Sequence, residues 1–211
     1  HPSGAASYTE PGPGNASSAL VNNEALMKLL SKFTRLLGRP PSSVAISPVA
    51  RSVRAARLTY LSERKLAAIE NALSDVARSG VPGVFIECGV ALGGSAIVIA
   101  TWMPEGRQFH GYDVFSMIPP PTSEHDDEKS RARFEVIQSG RSPGIGGDVY
   151  YGYLDNLYGR VVDNLARFGH VVDGGRIALH KGLFEDTLHP EQDVAFAHID
   201  CDWYDPVKLC L

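Results

Sequence analysis

Two short stretches hold most of the side chains able to do chemistry. In Glu87-Cys88-Gly89-Val90-Ala91-Leu92-Gly93-Gly94-Ser95 an acidic residue ends one apolar run and glycines precede another. Such a turn lets backbone approach a ligand at Gly89 and presents the free N–H groups of a helix start. A phosphate loop needs GxxxxGK[ST]; Gly89 and Gly94 have that spacing, but Ser95-Ala96 stand where Lys and Ser/Thr belong. The dinucleotide pattern GxGxxG fails at Ala91, where its second glycine meets the pyrophosphate. What is left is a cofactor without phosphates beside a carboxylate, which suits the amino-acid end of S-adenosylmethionine. The plain alternative is a tight βα turn that binds nothing.

Asp113 ends a second apolar stretch, 26 positions after Glu87. A carboxylate there can accept bonds from both ribose hydroxyls of an adenosyl group, a chemistry shared with NAD sites, or it can cap its own loop. The second stretch is His198-Ile199-Asp200-Cys201-Asp202-Trp203-Tyr204. If the chain stays extended, Asp200 and Asp202 project to one face. Their repulsion favours a proton or a hard divalent cation such as Mg²⁺ or Ca²⁺ between them. Alternatively one aspartate caps the next helix and the other faces water. His125, beside an acidic run, reads as solvated, and His198, within a strand, as a satisfied structural residue. Trp203 and Tyr204 fit either an acceptor pocket or the core.

These groups need elements to position them. The Gly-, Pro- and Ser-rich residues 1–20 read as a flexible arm. Residues 21–82 read as a helical segment: one helix behind Asn23 with Leu26, Leu29, Leu30 and Phe33 at helical spacing, then a Pro-containing linker, then a helix through Leu66, Ile69, Leu73 and Val76 that Gly80 and Pro82 end. From residue 83 to 211, strands alternate with helices. GVFIEC, RQFHGYDVF, RIALHK and VAFAHID are the strands, SAIVIATWM is a buried helix, and Tyr153 to Gly169 is an amphipathic one. Alternation of this kind predicts an α/β domain with a parallel sheet covered on both faces and ligands at the carboxyl ends of its strands. Ser116 to Tyr151, with PPP, EHDDE and SPGIGGD around one short helix, is long enough to be a lid.

VPGVFIECGVALGGS, the GYDVF strand end, KGLFEDTL and HIDCDWYDPVKLCL together resemble, in order and spacing, the macrocin O-methyltransferase (TylF-like) family over Tyr60 to Leu211. The resemblance implies a Rossmann-like class I methyltransferase fold, preceded by N-terminal helices, that uses S-adenosylmethionine and Mg²⁺ to methylate a hydroxyl of a sugar or phenolic small molecule. By position it implies that Glu87, Gly89 and Ser95 hold the methionine moiety and Asp113 the ribose. Lys181, Gly182 and Phe184 then lie near the adenine, Thr59 and Tyr60 close over the cofactor, Asp200 binds the metal, and Asp202 is the base. Two departures stand out. The family's further Asp-Asp metal ligands follow a fifth strand, and strands five to seven are not in this chain, so the natural protein is expected to continue beyond Leu211. The Ser116–Tyr151 insertion is the other.

Composition narrows the alternatives. A net charge of -4 offers no basic surplus for nucleic acid or anionic lipid. Three cysteines without a CxxC pair indicate neither a zinc site nor a disulfide framework. The longest apolar run, Ala96 to Met103, is far short of the roughly 20 residues of a membrane span. A soluble, cytoplasmic protein with a hydroxylated small-molecule partner is expected, and a homo-oligomer is compatible with it. The competing functions are a NAD-dependent oxidoreductase on the same architecture and a non-catalytic cofactor-binding scaffold.

Overall fold

The computed structural model describes residues 44–211 of the chain. The expected arm over 1–20 and the helix expected behind Asn23 lie outside the described residues. A helix the sequence reading missed, α1 (Pro48–Ala55), occupies part of the expected linker. Its signal was present: Ser47 caps it by accepting the Ala50 N–H at 3.2 Å, and a proline stands at its first turn. Helix α2 (Glu63–Ser79) starts at the Ser62 cap and stops at Gly80, whose φ of 66° is the left-handed turn expected there.

Strand β1 (Val84–Cys88) leads through the glycine turn into α3 (Gly94–Trp102), and β2 (Phe109–Asp113) follows. Within the long insertion one regular helix forms, α4 (Glu128–Gln138). The amphipathic helix α5 covers Leu157–Arg167, starting four residues later than the apolar spacing indicated. Asn156 accepts the Gly159 N–H at 2.9 Å and so sets the start, while Tyr151–Tyr153 forms a separate 3-10 turn. The rest is β3 (Ile177–Lys181), the short α6 (Phe184–Thr187), β4 (Val194–Ile199) and α7 (Tyr204–Cys210).

The four strands are parallel, in the order β3-β2-β1-β4. Side chains alternate across the sheet. Phe85, Phe109, Ile177 and Phe196 face one large core with α1, α2, α3 and α5. Val84, Ile86, Cys88 and Tyr112 face the other way, where Phe184, Leu188 and Cys210 pack on them. This is a Rossmann-like α/β sheet with helices on both faces, as the alternating pattern predicted. Strand order reverses at β1, which places the crevice of such a sheet beyond the carboxyl ends of β1, β2 and β4. No helix among the described residues is long and apolar enough to cross a membrane.

Candidate active site

At that crevice lies a cavity of about 440 Å³. The glycine turn forms one wall, and its shape is set by Asp113. The Val90 and Ala91 N–H groups donate to Asp113 Oδ2 at 2.8 and 3.0 Å, and the Phe115 N–H donates to Oδ1 at 2.7 Å. Ala91 and Phe115 both sit at a φ of 48°, left-handed backbone that non-glycine residues adopt at a cost. The bonds to Asp113 hold that conformation in place. Burial pushes the Asp113 pKa up, and the three N–H groups pull against it.

Gly89, at a φ of 93°, is needed for a different contact than the ligand approach expected of it. A Cβ there would meet the Asp200 carbonyl oxygen at 2.7 Å, so glycine lets the end of β4 lie against the turn. The first N–H of α3 is spent as well, since Gly94 donates to the Leu58 carbonyl at 3.1 Å. A Cβ on Gly94 would strike that carbonyl and Thr59, which brings the Thr59-Tyr60 segment onto the cavity.

Glu87 lies fully buried behind this wall rather than on it. Its Oε1 is 2.8 Å from His198 Nδ1, on the neighbouring strand position, and its Oε2 has no hydrogen-bond partner among the described residues. Burial pushes the Glu87 pKa up, opposed by the bond and charge of His198 and by Ser95. Burial also works against the charged form of His198. The hydrogen bond and charge of Glu87, together with the charge of Asp200, outweigh it and leave the His198 pKa raised.

Asp200 and Asp202 both line the cavity, just past the end of β4. Solvent reaches Asp202, yet protein surrounds enough of it that burial, and then the Asp200 charge, raise its pKa, with Arg133 pulling it down. Trp203 follows at φ 72° and ψ 157°, a region that is essentially glycine-only. Its indole N–H donates to the Pro119 carbonyl at 2.8 Å, and the Tyr204 N–H donates to Asp126 Oδ1 at 2.8 Å. These bonds tie the insertion to the segment after β4, so the insertion walls the cavity.

Of the residues singled out in the sequence, Thr59, Tyr60, Gly89, Ser95, Asp113, Gly182, Phe184, Asp200 and Asp202 line this one cavity. Lys181 does not; it is exposed at the end of β3, and its neighbour Gly182 donates its N–H to the Asp113 carbonyl at 3.0 Å. The sequence reading missed the insertion's contribution: Ile118, Pro119, Arg133, Ile137, Tyr150 and Tyr151 also line the cavity. Its one available signal was the aromatic run Tyr150-Tyr151-Gly152-Tyr153 in an otherwise polar segment. His125 packs against Tyr204, with ring centroids 4.5 Å apart.

Residues 48–211 match the family Macrocin-O-methyltransferase (TylF). The chain belongs to this family. Among solved structures, the chain is similar to that of the O-methyltransferase NovP, at 22% identity and a TM-score of 0.58, covering 73% of this chain and 60% of NovP. That likeness supports the fold. The structure of CalS11, the calicheamicin methyltransferase, is similar at 19% identity over 97% of this chain and 77% of its own, with a TM-score of 0.46. The chain thus spans 60% of the length of the NovP structure. No curated protein matches it.

Proposed function

We propose that this chain carries the cofactor site of an S-adenosylmethionine-dependent O-methyltransferase acting on a hydroxyl of a sugar or phenolic small molecule. The observation that carries the reading is the cavity at the β1–β4 switch point, built on a glycine turn that has no phosphate-loop residues and is bordered by carboxylates. Family membership supports the same reaction class. The residues fit a cationic cofactor. Glu87, fully buried behind the glycine turn, adds a carboxyl group close to the site without bordering the cavity. Gly89, Ser95 and Thr59 border the same space, with Tyr60 beside them and Gly182 and Phe184 on the wall after β3. A carboxylate has about four acceptor positions, and three of Asp113's are taken by backbone. Asp113 therefore takes one ribose hydroxyl rather than both.

When bound, S-adenosylmethionine supplies a methyl group on a sulfonium, already electrophilic. The chain's work is to align an acceptor hydroxyl and remove its proton. Asp202, on the cavity wall with a raised pKa, is the base. Mg²⁺ at Asp200, which the family resemblance implied, gains no support from the described residues. Among the described residues no three His, Cys, Asp or Glu side chains come together as a metal site. Asp200 and Asp202 are the only neighbouring carboxylates after β4 that border the cavity among the described residues besides Asp205, and no step is derived through a metal.

Calorimetry with S-adenosylhomocysteine and with NAD⁺ tests the reading. Saturable binding of the first and none of the second is expected, and the reverse would overturn it.

A further inference from the structure

Among the described residues, the cavity wall carries six charged side chains. Asp113, Glu185, Asp200, Asp202 and Asp205 are acidic, and the sixth is Arg133. Carboxylates are what a cationic sulfonium would need around it. On the methyltransferase reading the cofactor's own carboxylate lies with its amino-acid end at the glycine turn, so a guanidinium on the insertion wall is left for a different anion.

Arg133 projects from α4 in the insertion, with its guanidinium carbon 5.8 Å from the centroid of the Tyr150 ring. Such a contact pre-orients the planar fork without using its N–H groups. Arg133 makes neither a hydrogen bond nor an ion pair within 4.0 Å to any described residue, Asp202 included. Its five donors, in fixed geometry beside the cavity, are thus spent on no described residue. The surroundings on the insertion side are Ile118, Pro119, Pro120 and Ile137, with the Trp203 indole fixed to Pro119. An apolar and aromatic surface with one oriented guanidinium is a site for an amphiphilic anion, since bidentate Arg recognition matches carboxylate and phosphate alike.

We propose that the methyl acceptor bears an anionic group, a carboxylate or a phosphate, which Arg133 binds while the acceptor's hydroxyl faces Asp202. The inference rests on the methyltransferase reading and adds the acceptor's charge to it. The shared chemistry is an oxyanion beside a hydroxyl on a body that packs against rings. An aromatic acid and a sugar phosphate are its two sources.

The test is calorimetry on the full 211-residue chain saturated with S-adenosylhomocysteine, using two matched pairs: dihydroxybenzoate with its methyl ester, and glucose phosphate with methyl glucoside. One charged probe is expected to bind about tenfold or more tightly than its neutral partner. Arg133→Gln should abolish that preference, and Arg133→Lys should keep part of it, with S-adenosylhomocysteine affinity unchanged in both. The pair that responds distinguishes the aromatic acid from the sugar phosphate. Equal affinity for charged and neutral probes, a preference that survives Arg133→Gln, or no binding of either charged probe overturns the inference alone. If the wild-type chain fails to bind S-adenosylhomocysteine, the methyltransferase reading falls, and this inference with it.

Discussion

Asp113 shows how a single side chain can serve both fold and ligand. Its Oδ2 gathers two successive N–H groups of the turn, and its Oδ1 gathers the N–H two residues along its own chain. In Asp113→Asn one of the two positions becomes an NH₂ group facing N–H donors, so at least one charge-assisted bond is replaced by a clash of donors. Each such bond contributes roughly 1.5–3 kcal/mol, and for a chain of this size 1 kcal/mol moves Tm by about 2–4 °C. Asp113→Asn should therefore lower Tm by roughly 3–12 °C and weaken S-adenosylhomocysteine binding at the same time, measured by thermal melts and calorimetry. A variant that binds normally would show that Asp113 only braces the turn. Asp202 makes the opposite prediction, because it forms no bond that holds the fold. Asp202→Asn should leave Tm and cofactor affinity as they are and lower methyl transfer by about 10²–10⁴-fold, the span of general-base effects. Full turnover in that variant would remove Asp202 from the mechanism.

The elements show why some of this arrangement was legible and some was not. All four strands follow from apolar runs ending in Gly or Asp, and the turn chemistry around Gly89 and Asp113 follows from residue types at strand ends. The cavity wall from the insertion could not be read this way, because Tyr150, Arg133 and Pro119 reach it through bonds between segments far apart in sequence. Trp203 to Pro119 spans 84 positions and Tyr204 to Asp126 spans 78. Periodicity is blind to such pairs. Glu87 was legible as a chemical group but not as a buried one, since its cover depends on β4 lying beside β1. α1 was overlooked because its eight residues bury only Ala50 and Val53 on one short face, although its cap was visible. That helix is also held from outside. Glu70 of α2 accepts the Ser47 N–H at 3.0 Å and the Trp102 indole N–H at 3.3 Å, which joins the start of α1 to the end of α3. Glu70→Ala would leave two donors without their partner at the rim of the core. It should cost roughly 2 kcal/mol or more in a urea melt while leaving S-adenosylhomocysteine affinity intact, because Glu70 does not line the cavity. Lost affinity would mean that the helical layer also shapes the site.

Over the whole molecule, the large core lies on one face of the sheet and the site at its edge, so the site's buried charges act on the stability of everything beneath them. The Glu87–His198 pair bridges the central strand and β4, and the pKa of both members is raised. A group whose folded pKa exceeds its unfolded value holds its proton better in the fold, so its contribution is full below the unfolded pKa and is lost as pH rises through the folded one. For His198 that loss begins near pH ~6.5, the ordinary value, and runs upward from there. His110, His170 and His180 have lowered pKa values, with burial the first cause in each. Their contribution is present above about pH 6.5 and lost only below it, so they are silent in the window where His198 titrates. The Cys201 thiol is pushed up by its bond with Cys210 and by burial, and the Cys210 thiol, which that bond pulls down, is raised on balance by Cys88 and burial, so both act only above about pH 8.5. Between roughly pH 6.5 and 8, then, the ligand-free chain should lose stability as pH rises. Glu87→Gln removes both the buried carboxylate and the partner that raises the His198 pKa, so its urea-melt stability should be flatter across the same interval. A slope identical in wild type and Glu87→Gln would show that the buried pair does not titrate in this range and that another group sets the pH response.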